Sequence, residues 1–332
     1  MKRILCVLLL LTILVSSSLF AGSKGEKAAE GKKELTVVHC LIREFQYGLA
    51  EAAGARAAAE EFEKKHGIKV NFSYFAPVNF PDAAAQIEHI EAAMARGADL
   101  IIIDAVNRDV ITPKAREAIA RGITISCSNS GVEPGVGQGL WATDQTAAAG
   151  RAAEAMAQAI GRTGKVAVIG YGRGAHASEI RAHAFVEYMQ KNHPNVQVLP
   201  VEWAATADAM GSADTAKAYL AAHPDIVGMY AGNSMTTEGM VAGVRELGRA
   251  GQITLVGYDH NDAIRAAIRD GSLYGVVMQS PYKMGYEACK AGLEAIVEGR
   301  KPSDPWFTDT GVLLMTKDNI DSPEARLIMT TY

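Results

Sequence analysis

The chain has 332 residues, is 48% hydrophobic and carries a formal net charge of −4. This length is enough to bury one large core or two medium ones. The mildly acidic balance argues against nucleic-acid binding, which usually requires a basic surface. Histidine, cysteine and carboxylate side chains do not cluster at metal-ligand spacing, and no acid–base pair stands out. We therefore expect no metal, no cofactor and no catalytic site.

The first 21 residues are typical of a secretory signal peptide. Lys2 and Arg3 form a basic start, Ile4–Val15 is an apolar run, and Ser16–Ala21 is rich in small residues. This pattern predicts cleavage after Ala21. An uncleaved membrane anchor is the alternative, but the apolar run is too short to span a bilayer. We expect a soluble, exported protein.

A leader and three cysteines distinguish the predicted mature chain. Residues 22–34 are small and charged, which predicts a flexible leader. The odd number of remaining cysteines, Cys40, Cys127 and Cys289, argues against a disulfide framework. A bridge between Cys40 and Cys127 is conceivable, because both lie near predicted strand ends. Buried free thiols are the favoured interpretation.

From residue 35 onward, apolar strand patterns alternate with helical patterns. The predicted elements of the first half are strand Leu35–Cys40, helix Gln46–Lys65, strand Ile68–Phe75, helix Asp82–Arg96, strand Ala98–Asp104, helix Pro113–Arg121 and strand Gly122–Cys127. We expect Thr112 to cap the third helix, with Pro113 at its first position. A loop, Ser128–Gly139, then separates this run from a short strand, Leu140–Thr143.

The second half repeats the alternation. Asp144 is predicted to cap helix Gln145–Ile160. The elements that follow are predicted at Val166–Ile169, Ala177–Lys191, Val196–Val201, Ala213–Ala222, Ile226–Ala231, Ser234–Leu247, Ile253–Tyr258, Asp262–Arg269, Leu273–Met278 and Pro281–Glu298. The tail, Trp306–Tyr332, carries one predicted strand, Gly311–Met315. Two βαβα runs predict an α/β fold of two Rossmann-like, doubly wound domains with parallel sheets.

One stretch, Lys165–Phe185, allows two functional interpretations. Its strand runs into a glycine-rich turn, Gly170–Gly174, and Gly170-x-Gly172-x-x-Ala175 has the form of a dinucleotide-binding fingerprint. Alternatively, Arg181 on the following helix reaches a polar ligand in a cleft.

Polar and aromatic side chains follow most predicted strands, where ligands bind in open α/β sheets. Asp104 and Asn107 follow the third strand. The residues that we assign to the ligand site are Arg43, Glu44, Phe45, Gln46, Ser126, Asn129, His176, Arg181, Trp203, Asn233, Asp259 and Gln279. Amides, carboxylates and a guanidinium fork, together with an aromatic face, suit a polyhydroxylated ligand.

Several of these residues also have a purely structural interpretation. Asn233 and Asp259 each precede a predicted helix and could be N-caps. Trp203 could be a packing residue, and His176 a surface turn residue. Their joint occurrence at successive strand ends favours the functional interpretation.

Between Leu35 and Met315 the chain resembles the periplasmic sugar-binding proteins of ABC transporters, of the ribose- and galactose-binding type. The resemblance rests on Arg181-Ala-His-Ala-Phe185, Ala222-His-Pro-Asp225, Tyr230-Ala-Gly-Asn233, Val256-Gly-Tyr-Asp259 and Val277-Met-Gln279. It implies that Arg181, Asn233, Asp259 and Gln279 contact a sugar and that Phe45 stacks on it. Asn129 would supply an amide after the fourth strand. Gln46 replaces a second aromatic, and Arg43 and Glu44 are unusually charged for this loop.

The resemblance also implies an architecture and a partner. Residues 35–143 plus 280–309 would form one domain, and residues 144–279 plus 310–332 the other. Three strands would cross between the domains near Thr143, Ser280 and Asp309, and closure about this hinge would trap the ligand in the cleft. The implied protein is a periplasmic monomer that delivers its ligand to an ABC transporter permease.

Other functions remain as alternatives. A sensor component that presents its ligand-bound form to a membrane receptor is one. An NAD-dependent dehydrogenase is disfavoured, because cytosolic cofactors are scarce outside the membrane. A lactose-repressor-like regulator is excluded by the signal peptide and by the lack of a helix-turn-helix before Leu35.

Overall fold

The computed structural model describes residues 33–79, 82–171, 176–206 and 208–330. The strands are β1 (Glu34–Cys40), β2 (Lys69–Phe75), β3 (Leu100–Ile103), β4 (Thr124–Ser128), β5 (Leu140–Ala142), β6 (Gly164–Gly170), β7 (Val196–Val198), β8 (Glu202–Trp203), β9 (Ile226–Ala231), β10 (Thr254–Tyr258), β11 (Gly275–Met278), β12 (Phe307–Asp309) and β13 (Leu313–Thr316). The helices are α1 (Gln46–His66), α2 (Ala83–Ala95), α3 (Arg108–Ala120), α4 (Gln145–Ala159), α5 (His176–Asn192), α6 (Ala209–Ala222), α7 (Ser234–Glu246), α8 (Asp262–Asp270), α9 (Pro281–Glu298) and α10 (Pro323–Thr330).

The first sheet is parallel throughout and has the order β12-β5-β4-β3-β1-β2. Side chains alternate between its two faces, as the pleat requires. Val38 and Cys40 pack with α2 and α3, whereas Leu35 and Val37 pack with α1 and α9. The sheet is therefore covered on both faces, as predicted.

The second sheet has the order β13-β11-β10-β9-β6-β7, with β8 also paired to β6. Its pairs are parallel except for β13, which runs antiparallel to β11. Helices α4 and α5 cover one face through residues such as Phe185, and α6, α7 and α8 cover the other through residues such as Met240. The predicted α/β fold with two parallel sheets is confirmed.

The chain passes between the sheets three times. It leaves β5 for α4 at residues 143–144, β11 for α9 at 279–280, and β12 for β13 at 310–312. All three crossings lie near the β12–β5 edge of the first sheet and the β13–β11 edge of the second. The sheet membership of these strands supports the proposed division into two domains, whose boundaries remain a prediction.

The start of the third helix, α3, differs from the prediction. Helix α3 begins at Arg108, and its N-cap is Asn107, whose side chain accepts a hydrogen bond from the Val110 amide at 3.0 Å. Thr112 lies inside the helix, where its hydroxyl donates to the Arg108 carbonyl. Pro113 is the sixth helical residue rather than the first. The first turn already contains Ile111, which is fully buried.

Two further regions of the second half, the strand predicted at Val196–Val201 and the tail, also differ from the predictions. The strand predicted at Val196–Val201 stops at Val198, and a separate short strand, β8, follows it. The tail contains β12 and α10 in addition to the predicted strand. Strand β12 is only three residues long and exposed, so it carries no apolar pattern to detect.

Close helix packing requires glycine at two positions between α1 and α9. A Cβ atom on Gly54 would stand 1.9 Å from the Tyr282 carbonyl oxygen, and one on Gly285 would stand 2.0 Å from the Glu51 carbonyl oxygen. Any side chain here would push the helices apart. The contact holds α1, and with it Glu51, tightly against the first sheet.

Cys40, Cys127 and Cys289 are buried free thiols, which confirms the favoured interpretation. Burial raises the pKa of Cys40 and Cys127 to about 12, so these thiols are protonated. Within the described ranges, the helices are all too short or too polar to cross a bilayer.

Candidate functional site

Arg181 is the buried centre of the candidate site at the second sheet. Its side chain is only 5% exposed. Nε donates to Gln145 Oε1 at 2.7 Å, one terminal nitrogen donates to the Gly232 carbonyl at 2.8 Å, and the guanidinium lies 3.9 Å from the centre of the Tyr258 ring. Burial opposes the charge, but Tyr258 and Asp259 raise the arginine pKa above its ordinary value. The result is a fixed, permanently charged donor.

A chain of hydrogen bonds extends from Arg181 to Asp259. Gln145 Oε1 also accepts from the Tyr258 hydroxyl at 3.0 Å, and Gln145 Nε2 donates to Gln279 Oε1 at 3.3 Å. Gln279 Nε2 in turn donates to Asp259 Oδ1 at 2.8 Å. Gln145 and Gln279 both lie at crossings between the sheets. The network therefore connects three predicted ligand residues to two of the three crossings.

Asp259 occupies the turn directly after β10. Its backbone is left-handed, with φ 58°, a conformation that aspartate tolerates better than most residues. The N-cap of α8 is Asn261, which accepts a hydrogen bond from the Ile264 amide at 2.8 Å. The interpretation of Asp259 as a helix cap is therefore wrong, and its carboxylate is directed to Gln279 instead.

Asn233, in contrast, does cap a helix. Its Oδ1 accepts from the Thr236 amide at 2.8 Å and from the Thr236 hydroxyl, as part of a capping box on α7. Among the described residues its Nδ2 has no hydrogen-bond acceptor, so this nitrogen remains for a ligand. The structural and the functional interpretations of Asn233 are compatible.

The loop after β1 places an aromatic ring at the carboxyl end of the first sheet. The rings of Phe45 and Tyr47 are nearly parallel, with centroids 5.8 Å apart. The guanidinium carbon of Arg43 lies 4.6 Å from the Phe45 centroid, within range of a cation–π interaction. Glu44 and Gln46 are exposed beside them. Arg43 therefore lies next to the Phe45 ring, which is the predicted stacking surface.

Asn129 follows β4 and is held from both sides. Its Oδ1 accepts from the Tyr47 hydroxyl at 3.0 Å, and its Nδ2 donates to Asp104 Oδ1 at 3.1 Å. Its backbone is left-handed, with φ 54°. These contacts fix the orientation of the amide and leave one Nδ2 hydrogen for another acceptor.

Two predicted residues have other surroundings, and the side chain of a third falls outside the described residues. Ser126 is fully buried within β4, two residues before the strand ends. Trp203 packs over Gly170 and near His183, and lines a depression of about 400 Å³ with residues of α5. The side chain of His176 lies outside the described residues, as do residues 172–175 of the glycine-rich turn. The roles of all three in ligand binding remain predictions.

A larger depression, about 640 Å³, lies away from these side chains. It is lined by α3, the loop at residues 135–138 and the amino end of β4. Ligands of open α/β sheets bind at the opposite, carboxyl ends of the strands. The candidate site therefore consists of two groups at the strand ends rather than this depression. One is the network from Arg181 to Asp259 at the second sheet, and the other is Phe45 and Asn129 at the first sheet.

The sequence analysis did not assign Gln145, Tyr258 or Glu51 to the ligand site. Gln145 meets Arg181 and Gln279 over separations of 36 and 134 residues, which no local pattern encodes. Its position immediately after the predicted cap Asp144, at a predicted crossing, was the available signal. Asp104 was recognised as a strand-end residue but was not assigned to the site.

The chemistry of the two groups is that of binding. They offer a guanidinium, carboxylates, amides and an aromatic ring. Among the described residues, no group of three or more His, Cys, Asp or Glu side chains could hold a metal ion. Such convergent donors and acceptors fit a ligand with many hydroxyl groups.

Comparison with models of protein families shows the family to which the chain belongs. A model described as a periplasmic binding protein domain matches residues 50–301, about three quarters of the chain. The chain belongs to the periplasmic binding protein family. Members of this family are substrate-binding proteins, so the resemblance noted from the sequence is confirmed.

Two curated members of the family match almost the whole chain. The D-ribose/D-allose-binding protein of Pseudomonas aeruginosa is 24% identical over 312 residues, which cover 91% of this chain and 94% of the relative. The ribose import binding protein RbsB of Bacillus subtilis is 26% identical over 307 residues, with 91% and 95% coverage.

Solved structures of periplasmic binding proteins share the fold. An ABC transporter solute-binding protein from Agrobacterium vitis with bound D-fucose gives a TM-score of 0.74 at 27% identity, covering 88% of this chain and 98% of that one. A carbohydrate transporter solute-binding protein from Agrobacterium radiobacter in complex with D-arabinose gives 0.75 at 26% identity, with 90% and 99% coverage.

Proposed function

We propose that this protein captures a sugar, or a similar polyhydroxylated molecule, between its two domains and delivers it to the permease of an ABC transporter. The observation that carries the proposal is the hydrogen-bonded group of Arg181, Gln145, Gln279 and Asp259 at the carboxyl end of the second sheet. Phe45 and Asn129 would form the opposite wall. Binding without chemical turnover is the expected activity, because these groups offer recognition and no reaction centre.

The proposed ligand class follows from two considerations. Relatives are named for ribose, allose, xylitol and apiose, and similar structures hold fucose or arabinose. In proteins generally, a hydrogen bond to a charged group contributes about 1.5–3 kcal/mol. Four or five such bonds, less the entropic costs of association, support micromolar affinity, near −8 kcal/mol. A monosaccharide or polyol of five or six carbons offers that number of hydroxyls.

Closure would complete the site. Rotation of one domain towards the other about residues 143–144, 279–280 and 310–312 would bring Phe45 and Asn129 towards Arg181 and Asp259. Because Gln145 and Gln279 lie at two of these crossings, ligand contacts there would favour the closed arrangement. The closed form would be the one offered to the permease. We further propose that the mature protein begins after Ala21 and acts in the periplasm.

The test is a binding screen on the mature protein, residues 22–332. Thermal unfolding should be followed with D-ribose, D-allose, xylitol, D-apiose, D-arabinose, D-fucose and NAD. At least one sugar or polyol should raise the melting temperature increasingly with its concentration, while remaining chemically unchanged. Isothermal titration calorimetry should then give one site per chain.

Two variants sharpen the screen. Arg181→Lys should remove most of the stabilisation, because lysine cannot reproduce the planar fork that contacts Gln145 and Gly232. Arg249→Lys is the matched control and should leave it unchanged, because Arg249 lies in the turn after α7 and donates to the Pro224 carbonyl. Stabilisation by NAD alone, or by no member of the sugar panel, would contradict the proposal.

A further inference from the structure

A polar layer lies beneath the candidate site, between the first sheet and the helices α1 and α9. Strand alternation directs His39, Asp104, Ser126 and Ser128 to the face that also carries Leu35 and Val37. Register places His39 beside Ile102, and Ile102 beside Ser126. Helix α1 covers this face and contributes Glu51.

Two carboxyl groups meet in this layer. Glu51 and Asp104 are both fully buried. Glu51 interacts with Asp104 and Ser128, but none of the contacts at its two oxygens or at Asp104 Oδ2 has the geometry of a full hydrogen bond. Burying an uncompensated carboxylate is costly, and burying two adjacent ones costs more.

Within the part of the chain that the structure describes, no positively charged side chain compensates the pair. The nearby titratable groups are His39 of β1, which contacts Ser128, and Cys127, which points to the opposite face of β4. Burial lowers the pKa of His39 to about 3, so the imidazole is neutral. The Cys127 thiol is neutral as well. Asp104 is stabilised by Asn129 and by the backbone of Ile42 and Ser130, and Glu51 by Ser128, but these are all neutral groups. A shared proton would remove one of the two adjacent negative charges.

Geometry and electrostatics agree on where the proton resides. Burial and the neighbouring Asp104 raise the pKa of Glu51 well above its ordinary value. Burial raises the pKa of Asp104 to about 7, although Asn129 stabilises the charged form. Asp104 Oδ1 accepts from Asn129 Nδ2, which leaves Asp104 Oδ2 and the Glu51 carboxyl to hold the proton.

We propose that Glu51 and Asp104 share one proton near neutral pH, and that this pair positions the Asn129 amide for the ligand. The inference rests on the proposed function, since Asn129 is taken to contact a sugar. Asp104 is the direct support, and Glu51 acts through it as a positioning residue. Loss of the shared proton at alkaline pH would drive the carboxylates apart and release Asn129 from its orientation. Ligand affinity would then fall.

The experiment compares affinity across pH for wild-type protein and Glu51→Gln. Isothermal titration calorimetry with the sugar of the panel that binds best should show affinity decreasing about fivefold between pH 6 and pH 9 in the wild type, the effect of one lost hydrogen bond. Glu51→Gln keeps a donor towards Asp104 but removes the second carboxyl, so no charge repulsion can develop within the pair and the fall in affinity should be clearly smaller than in the wild type. Glu60→Gln, the same substitution at an exposed position of α1, should follow the wild type.

A second measurement needs no ligand. In the wild type, infrared spectroscopy at pH 7 should show the carbonyl band of a protonated, buried carboxylic acid that disappears at alkaline pH and in Glu51→Gln. If that band is absent at pH 7, or if the Glu51→Gln affinity profile matches the wild-type profile, the inference is overturned. If no sugar binds at any pH, the proposed function fails instead, and the infrared band still decides whether the proton is shared. Should Glu51→Gln not fold, the wild-type band and its titration decide alone.

Discussion

Replacing Asp259 with asparagine tests the candidate site most directly. The side chain is 9% exposed, its Oδ1 accepts from Gln279 Nε2, and its charge acts on the buried Arg181. Asparagine tolerates the left-handed backbone and can still accept from Gln279. The substitution therefore removes the charge and turns one acceptor oxygen into a donor, with little change of shape.

The magnitude follows from the lost interaction. A hydrogen bond between a ligand hydroxyl and a carboxylate contributes about 1.5–3 kcal/mol. Since each 1.4 kcal/mol corresponds to a factor of ten, Asp259→Asn should weaken sugar binding about 10- to 100-fold. Isothermal titration calorimetry at pH 7 measures this loss. Asp259→Ala should lose the same affinity and, because alanine disfavours the left-handed region, about 1–2 kcal/mol of stability as well.

The matched control is Asp262→Asn, three residues away on the exposed first turn of α8. Its affinity should stay within twofold of the wild type. An Asp259→Asn protein that binds within twofold of the wild type would refute the reasoning. It would mean that Asp259 supports only Gln279 and makes no contact with the ligand.

Three further predictions concern the network, the helix packing and the thiols. Gln145→Ala should weaken sugar binding about five- to tenfold in calorimetry, because Arg181 loses one partner; affinity equal to wild type would contradict a positioning role. Gly54→Ala should lower the free energy of unfolding in urea by about 1–3 kcal/mol, whereas Gly232→Ala, whose Cβ would meet ordinary contacts, should change it by less. The mature native protein should show almost no reaction of its cysteines with a thiol reagent, and complete reaction after unfolding; a fast-reacting native thiol would contradict the buried positions of Cys40, Cys127 and Cys289.

Local chemistry explains which elements the sequence predicts well. Strand β9 and helix α9 match their predicted limits, since an apolar run delimits β9, and Pro281 and Gly299 delimit α9. The start of α3 was missed because a proline inside a helix resembles one at its start.

The site was predictable only in part, for a topological reason. Asp259 and Gln279 directly follow β10 and β11, and Arg181 lies in α5, the helix after β6. The sheet therefore brings them to one edge, and the structure connects all three through hydrogen bonds or charge. Gln145 and Glu51 lie within helical patterns whose burial depends on how the helices dock. Their importance emerges only once α4 and α1 are placed against the sheets.

The position of the three crossings has a mechanical consequence. In each sheet the crossings lie at one edge, and the opposite edge, β2 or β7, is four strands away from β5 or β11. At about 4.8 Å per strand, the far edges stand roughly 19 Å from the axis about which the halves can turn. A small rotation of the halves about the crossings therefore produces a large displacement of the segments that follow the strands farthest from them. Val78, which is 90% exposed, lies in the loop after β2, and Met210, which is 72% exposed, lies in the first turn of α6, after β8. Spectroscopic labels at these two positions would move far for a small rotation, and the distance between them would report the opening angle of the molecule.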